Sequence, residues 1–367
     1  PEKIRDIART MMKIHEEQGK LPVWHLWGNE TDCMVGNPGV IALADILVKD
    51  FEGFDKELAY NALRESEMRP DRGQDIRMEC GFIPADRDFN ESVAYDMEYA
   101  IADGAMAAAA RRLGKEEDYA YFNERSHSYR NYFDPETLFI RGRNSDGTFV
   151  EPFNPYSSNH RADVYCEGNA WQYTWLVPQD FDGLVTLYGS KEKLAERLDS
   201  LFAAKNEIEG AEASPDISGL IGQYAHGNEP SHHIIYFYTM AGQPWKAADK
   251  IDEVLRTLYF HDPNGLSGNE DVGQMSAWYI LSSLGMYQVE PAGARFWFGK
   301  PSFAGAEVQV PGGTLKIRAE GLSGEARYIQ SVTLNGKNHP YPYIEFNDIV
   351  KGGELVFRMG TEKTIWY

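Results

Sequence analysis

Residues 100–114 read AIADGAMAAAARRLG. A run of alanines this dense favours helix, and side chains this small let neighbouring helices approach closely. The spacing predicts a long helix over 91–113, of the kind that concentric helical layers require. Working outward, 115–133 continues as a second helix. Towards the N-terminus, residues 39–64 form a helix pair broken at Gly53. Residues 1–20 carry Ile4, Ile7, Met11 and Ile14 on one face, with Gly19 after the helix end. Between these, 65–88 is a polar loop punctuated by Pro70 and Gly73. A second loop, 134–163, is rich in Gly, Pro and Asn. Helices are then expected at 168–176, 180–188, 190–204, 230–241, 244–258 and 272–285, with no strand alternation before residue 288. Beyond it, RFWFG, AEVQVP, TLKIRAE, RYIQSVTLNG and GELVFRMG alternate with period two between turn residues. The fold class is mainly α: a helical toroid over 1–287 with a C-terminal antiparallel β-module over 288–367. A sheet that small with one apolar face packs on something else.

The chain has 367 residues, 43% hydrophobic and 25% charged, ordinary for a globular protein. Aromatics reach 13%, which serves either a bulky core or stacking on sugar rings. The formal net charge of −20 argues against nucleic acid and anionic lipid as partners. It suits a neutral or cationic ligand, or a divalent cation held by carboxylates. Cys33, Cys80 and Cys166 lie far apart and form neither a disulfide framework nor a metal motif. No apolar run reaches the length of a membrane span. Residue 1 is a proline in mid-pattern, so the chain is expected to begin inside a longer protein, and the lack of a signal peptide carries no weight.

Three constellations carry chemistry. In DVYCEGNAWQYTWLVPQD (163–180), Glu167 stands before a short run bearing Trp171, Tyr173 and Trp175. A carboxyl beside an aromatic wall is partly desolvated and suits a general acid. The plainer alternative is an acidic residue placed there by the helix dipole. In GLIGQYAHGNEPSHH (219–233), Asn228 and Glu229 offer oxygen ligands and Gln223 a further carbonyl, a set that suits Ca²⁺ better than Zn²⁺. His232 and His233 are adjacent and lack the spacing of a helical zinc pair. The alternative is a capped helix start. In HDPNGLSGNEDVGQMSAWYILSSLG (261–285), Asn269, Glu270 and Asp271 sit between glycines ahead of an apolar helix. They could hold a metal or position a water, and a plain N-cap by Asp271 is the alternative. Two carboxylates with aromatic walls are the equipment of glycoside hydrolysis.

EGNAWQYTWLVPQD, HGNEPSHHIIYFYTMAGQPWKAADKI and GLSGNEDVGQMSAWYILSSLGMYQV resemble the signature blocks of family 92 glycoside hydrolases. LPVWHLWGNETDCMVG and ERSHSYRNYFDPETLFIRGRNSDG match further blocks, so the likeness runs the length of the chain in family order. The resemblance implies a calcium-dependent, inverting exo-α-mannosidase on an (α/α)6-type toroid, acting outside the cytoplasm, secreted or periplasmic. It aligns Glu167 with the general acid and Asp271 with the general base. Gln223, Asn228 and Glu229 fall in its calcium region, while Trp27, Trp171, His226, His232, Asn269 and Glu270 are the candidates to line the mannose. It further implies that an N-terminal β-sandwich and the first toroid helices lie outside this chain. GNPGV at 36–40 departs from the family's aromatic and His after the glycine, which changes the cleft wall. Ser218 and Gly219 stand nearest to the His–Glu pair of α-1,2-specific members, which disfavours that linkage. The alternative from another class is a calcium-dependent carbohydrate-binding or scaffold domain without turnover, which would have no use for an acid–base pair.

Overall fold

The computed structural model describes residues 2–367. Its helices are α1 (Glu2–Gln18), α2 (Pro38–Val48), α3 (Lys56–Glu67), α4 (Gln74–Cys80), α5 (Ser92–Arg112) and α6 (Glu116–Arg125) in the first half. Then come α7 (Ala170–Tyr173), α8 (Phe181–Tyr188), α9 (Lys191–Ala203), α10 (Phe237–Met240), α11 (Pro244–Thr257), α12 (Gln274–Ser283) and α13 (Phe346–Ile349). Local chemistry sets the starts. Pro38 opens α2, where its missing N–H costs nothing. The Asp55 carboxylate caps α3 by accepting from the N–H groups of Glu57 and Leu58. The alanine run lies in α5, which is buried on every side, and Ala102, Ala105, Ala109 and Ala110 are wholly enclosed. Those methyl-sized contacts pack α5 against α2, α3 and α6, with Leu43, Leu47, Leu63 and Phe122 filling the core between them.

The chain forms two compact units. One comprises the chain as far as Gly183 with Ile208–Ser214 and Glu290–Gly293, and the other Leu184–Glu207, Pro215–Val289 and Ala294–Tyr367. This division differs from a boundary at 287. Met286–Tyr287 is already a strand, paired with Arg295–Phe298, which pairs in turn with Tyr343–Glu345. The larger sheet runs in the order 337–338, 328–334, 353–360, 313–320, 305–310. Leu315, Ile317 and Ala319 face its core with Leu355, Phe357 and Met359, while Lys316, Arg318 and Glu320 face out. The expected all-antiparallel module needs correction here. Gly313–Glu320 and Gly353–Gly360 run parallel, from Leu315 opposite Gly353 to Glu320 opposite Arg358. The last strand returns to insert between two earlier ones, and alternation along a strand carries no information about its neighbour's direction.

Other departures are local. Residues 65–88 contain α4, framed by Gly73 and Gly81 at φ 84° and 79°. Its buried Arg77 is held by Asp96 at 2.7 Å and Asp103 at 2.6 Å, both from α5, a tertiary tie that no seven-residue pattern announces. Helix 168–176 shrinks to the four residues of α7, and 230–241 is mostly 3₁₀ turns, Glu229–Ser231 and Ile234–Tyr236, before α10. Hairpins of two-residue strands at 25–30, 133–140 and 220–225 are too short to alternate visibly.

Candidate active site

In the first unit Glu167 is half-buried, with its backbone in the left-handed region at φ 47°. Its neighbours are pinned. The Tyr173 hydroxyl accepts from the Cys166 N–H and donates to the Cys166 carbonyl, at 3.3 and 2.7 Å. A Cβ at Gly168 would stand 2.8 Å from the Tyr173 ring, so only glycine fits there. Helix capping falls to another residue. Asn169 accepts from the Trp171 N–H at 2.9 Å, and its own N–H donates to Gln172 Oε1 at 2.8 Å, a closed capping box. The dipole explanation for Glu167 therefore has only a four-residue helix behind it, already capped. Trp171 is 7% exposed and stacks edge-on against Phe139 at 4.8 Å, so it backs this wall from within.

Trp27 is the reverse case. It sits with Gly28 in the turn of the 25–30 hairpin, both at positive φ, and is 98% exposed. Glu30 braces that hairpin, its carboxylate accepting from the N–H groups of Val23, Trp24 and Asp32. Burial alone would raise the Glu30 pKa, but these bonds outweigh it and hold the carboxyl below its usual range.

In the second unit, glycines bring two of the predicted loops together. A Cβ on Gly227 would meet Ser218 Oγ at 2.0 Å and the Ser267 carbonyl at 2.7 Å. One on Gly268 would meet the Gly227 carbonyl at 2.8 Å. The loop of Asn228 and Glu229 thus crosses the loop of Asn269, Glu270 and Asp271 backbone on backbone. Asn269 donates to Asp216 Oδ1 at 3.1 Å, and Glu270 accepts from the Ser276 N–H at 3.0 Å, so Glu270 steadies the start of α12. Gly273 stands at the N-cap of α12 without a side-chain bond. Asp271 contributes only its carbonyl to that turn, through the Gln274 N–H. Its exposed carboxylate makes no hydrogen bond or ion pair among the described residues, and φ is 49° at Asp271 and 55° at Val272. The N-cap alternative is not what this aspartate does.

Beneath these loops His226 and His232 are buried, at 0% and 2% exposure. His232 Nε2 donates to the His226 carbonyl at 2.9 Å, and its Nδ1 accepts from the Gln274 amide at 3.0 Å. The Tyr259 hydroxyl donates to the Met275 carbonyl, so it accepts from His226 Nε2 at 2.7 Å, and His226 Nδ1 accepts from the Tyr224 hydroxyl. Every ring nitrogen is satisfied. Desolvation holds His226 well below the usual histidine pKa and takes His232 down to about 4. Both rings form a buried, hydrogen-bonded scaffold under the loops.

Chemistry for a cation is mixed. Asn228 is 7% exposed and Glu229 exposed, both hard oxygen donors, while the ring nitrogens of His226 and His232 are already taken by protein partners. Among the described residues no three His, Cys, Asp or Glu side chains cluster. What the loop does offer is the side-chain oxygens of Asn228 and Glu229, which are hard donors. Gln223 sits at the tip of the 220–225 hairpin, its amide N–H groups donating to the Lys205 and Glu207 carbonyls, both at 2.8 Å. Asn228 follows the open end of that hairpin, so the two do not share a turn.

Two carboxylates that act on Cys166 escaped the sequence reading. Glu91, just before α5, and Glu98 within it act with Glu167 on the Cys166 thiol. Burial first, then these negative charges, push that thiol upward. The spacing was visible, but nothing in it pointed towards residue 166.

The sequence model of the glycosyl hydrolase family 92 catalytic domain matches residues 1–361. A family GH92 α-mannosidase of Bacteroides thetaiotaomicron, solved with mannoimidazole, superposes with a TM-score of 0.92 at 38% identity, covering 98% of this chain and 48% of that one. A family GH92 inverting mannosidase of the same organism gives 0.87 at 30% identity, over 99% of this chain and 51% of that one. An uncharacterized secreted glycosidase of Arthroderma benhamiae is 26% identical over 98% of this chain and 50% of its own length. The chain thus spans about half the length of these proteins. Across that span, with the match running from residue 1 to 361 and the helical and sheet layout shared, the chain belongs to glycosyl hydrolase family 92.

Proposed function

We propose that this chain carries the acid–base pair of an inverting exo-α-mannosidase. The observation that supports it most is shared by Glu167 and Asp271. Each carboxylate extends from a left-handed backbone at a helix start whose capping is left to other residues. Proteins retain such conformations where the surroundings enforce them, and functional sites are where they cluster. Glu167 gives its proton to the glycosidic oxygen as the bond to the anomeric carbon breaks. Asp271, on its exposed loop, takes a proton from the water that attacks the opposite face, which requires carboxyl groups roughly 6.5–9.5 Å apart. Trp27 offers a flat apolar surface to a sugar ring. Asn228 and Glu229, with backbone or amide oxygen from the Gln223 side, would hold Ca²⁺. When bound, the ion supplies positive charge towards the sugar hydroxyls that a neutral substrate cannot draw from a −20 surface. Ser218 and Gly219 offer no pair of long polar side chains, so linkages other than α-1,2 are the expected substrates. In this reading the helices belong to an (α/α)6 toroid, an N-terminal β-sandwich accompanies them, and the protein works outside the cytoplasm. No helix among the described residues is long and apolar enough to cross a membrane.

The test is proton NMR of mannose freshly released by the full-length protein, with and without EDTA. β-Mannose should appear first, release should stop with EDTA, and Ca²⁺ should restore it. The α-anomer as first product would refute inversion, and rescue by Zn²⁺ alone would refute the oxygen-ligand assignment.

A further inference from the structure

Glu167 holds a left-handed backbone at φ 47°, a conformation that a residue with a side chain keeps only where its surroundings enforce it. One side chain grips the chain on both sides of it. The Tyr173 hydroxyl accepts from the Cys166 N–H at 3.3 Å and donates to the Cys166 carbonyl at 2.7 Å. The second bond holds the peptide plane that also carries the Glu167 N–H, so it fixes the N-terminal side of that φ. On the other side, Gly168 lies so close to the Tyr173 ring that a Cβ there would stand 2.8 Å from it. The grip has a rigid mount. Tyr173 is 1% exposed in α7, and the next residue, Thr174, accepts at Oγ1 from the Ile140 N–H at 3.1 Å. The Ile140 carbonyl accepts from the Tyr165 hydroxyl at 2.6 Å, so helix and segment are tied to one strand residue. Burial pushes the Tyr173 hydroxyl well above the usual tyrosine pKa, so it keeps the proton that it donates to the Cys166 carbonyl.

We infer that Tyr173 is a positioning residue for the general acid: its hydroxyl and ring hold Cys166 and Gly168, and so fix the backbone from which the Glu167 side chain extends. This rests on Glu167 being that acid. The proton passes from the Glu167 carboxyl to the leaving oxygen as the C–O bond opens, while Tyr173 keeps its own. Freed at φ, the acid spends less of its time where the leaving oxygen needs it, and the contacts that bind the sugar stay in place. The loss therefore falls on kcat and not on KM, and only for substrates that need protonation.

The experiment measures kcat and KM of the full-length protein on methyl α-mannoside, a poor leaving group, and on a dinitrophenyl α-mannoside. Tyr173→Phe keeps the ring and removes the hydroxyl. It should lower kcat on the methyl glycoside about 10-fold or more, with KM held and the dinitrophenyl substrate within about twofold of wild type. Gly168→Ala, which pushes the ring from the other side, should give the same pattern, and it is read alone should Tyr173→Phe not fold. Tyr173→para-aminophenylalanine, with a donor and an acceptor at the same place, should restore turnover of the methyl glycoside. Tyr132→Phe controls for stability. That hydroxyl accepts from the Ile83 N–H at 3.0 Å and lies 2.9 Å from the Ile83 carbonyl, a like grip elsewhere, and its loss should leave the ratio of the two substrates unchanged. An unchanged ratio in Tyr173→Phe, or equal losses on both substrates, overturns the inference. Glu167→Gln, run alongside, separates the two failures: if it harms both substrates equally, the acid assignment itself is wrong.

Discussion

Glu167, Asp271 and Val272 hold backbones that cost an L-residue roughly 1–2 kcal/mol each, and Val272 does so while fully exposed. No packing of the Val272 side chain offsets that cost, so the loop is shaped for its neighbour. The two acids should then fail differently when neutralised. Glu167→Gln is expected to lower kcat on poor leaving groups by about 10²-fold or more while sparing activated aryl mannosides, which need little protonation. Asp271→Asn should lower kcat on all of them, because every substrate needs an activated water. Steady-state kinetics over a series of leaving groups checks this, and parallel losses in the two variants would mean the roles are misassigned.

At the level of elements, α3, α4, α5 and α6 are tied by a buried polar knot. Glu67 accepts from Asn37 and Gln74, both at 2.8 Å, while Asp103 accepts from Arg77 at 2.6 Å and Arg125 at 3.2 Å. Glu67, Asp96 and Asp103 face the two arginines, and desolvation first, then the Asp103 charge, raises the Glu67 pKa to about 7. The folded pKa lies above the unfolded one, so this group's contribution is complete below about pH 4.5 and is lost as pH rises through about 7. Urea melts from pH 5 to 8 should show wild type losing its advantage over Glu67→Gln across that window, and a pH-independent gap would contradict it. This knot also marks where the sequence stopped being legible. Alanines, caps and alternation announced α5, α3 and the sheet, because those signals are local. The helix α4 and the parallel strand pair were hidden, because each is decided by a partner distant in the chain. At the candidate site, the motif blocks singled out Glu167 and Asp271. They could not say that His226 and His232 would be sealed by Tyr224, Tyr259 and Gln274, since exposure is a property of the packed loops.

Across the whole molecule, apolar surface is mostly hidden, with exceptions on α12 and its neighbour, where Tyr279, Ile280 and Phe260 are exposed. The tryptophans divide more sharply. Trp171, Trp175, Trp278 and Trp297 are all buried, while Trp27 stands 98% in water on a hairpin braced by Glu30, with Trp24 beside it 42% exposed. That contrast makes the protein its own optical reporter. Indole in water emits to the red of indole in a core and collides freely with quenchers, so iodide should extinguish a red-edge component dominated by Trp27, with a smaller share from Trp24, and leave the blue component bright. Replacing Trp27 with Phe should remove most of the red component and leave the part that belongs to Trp24. If a mannoside stacks on the Trp27 indole, titrating the sugar in the presence of calcium should shift the red edge to the blue and shield it from iodide. Occupancy could then be followed by emission in an acid variant that turns nothing over, and an unchanged spectrum at saturating sugar would place the ligand elsewhere.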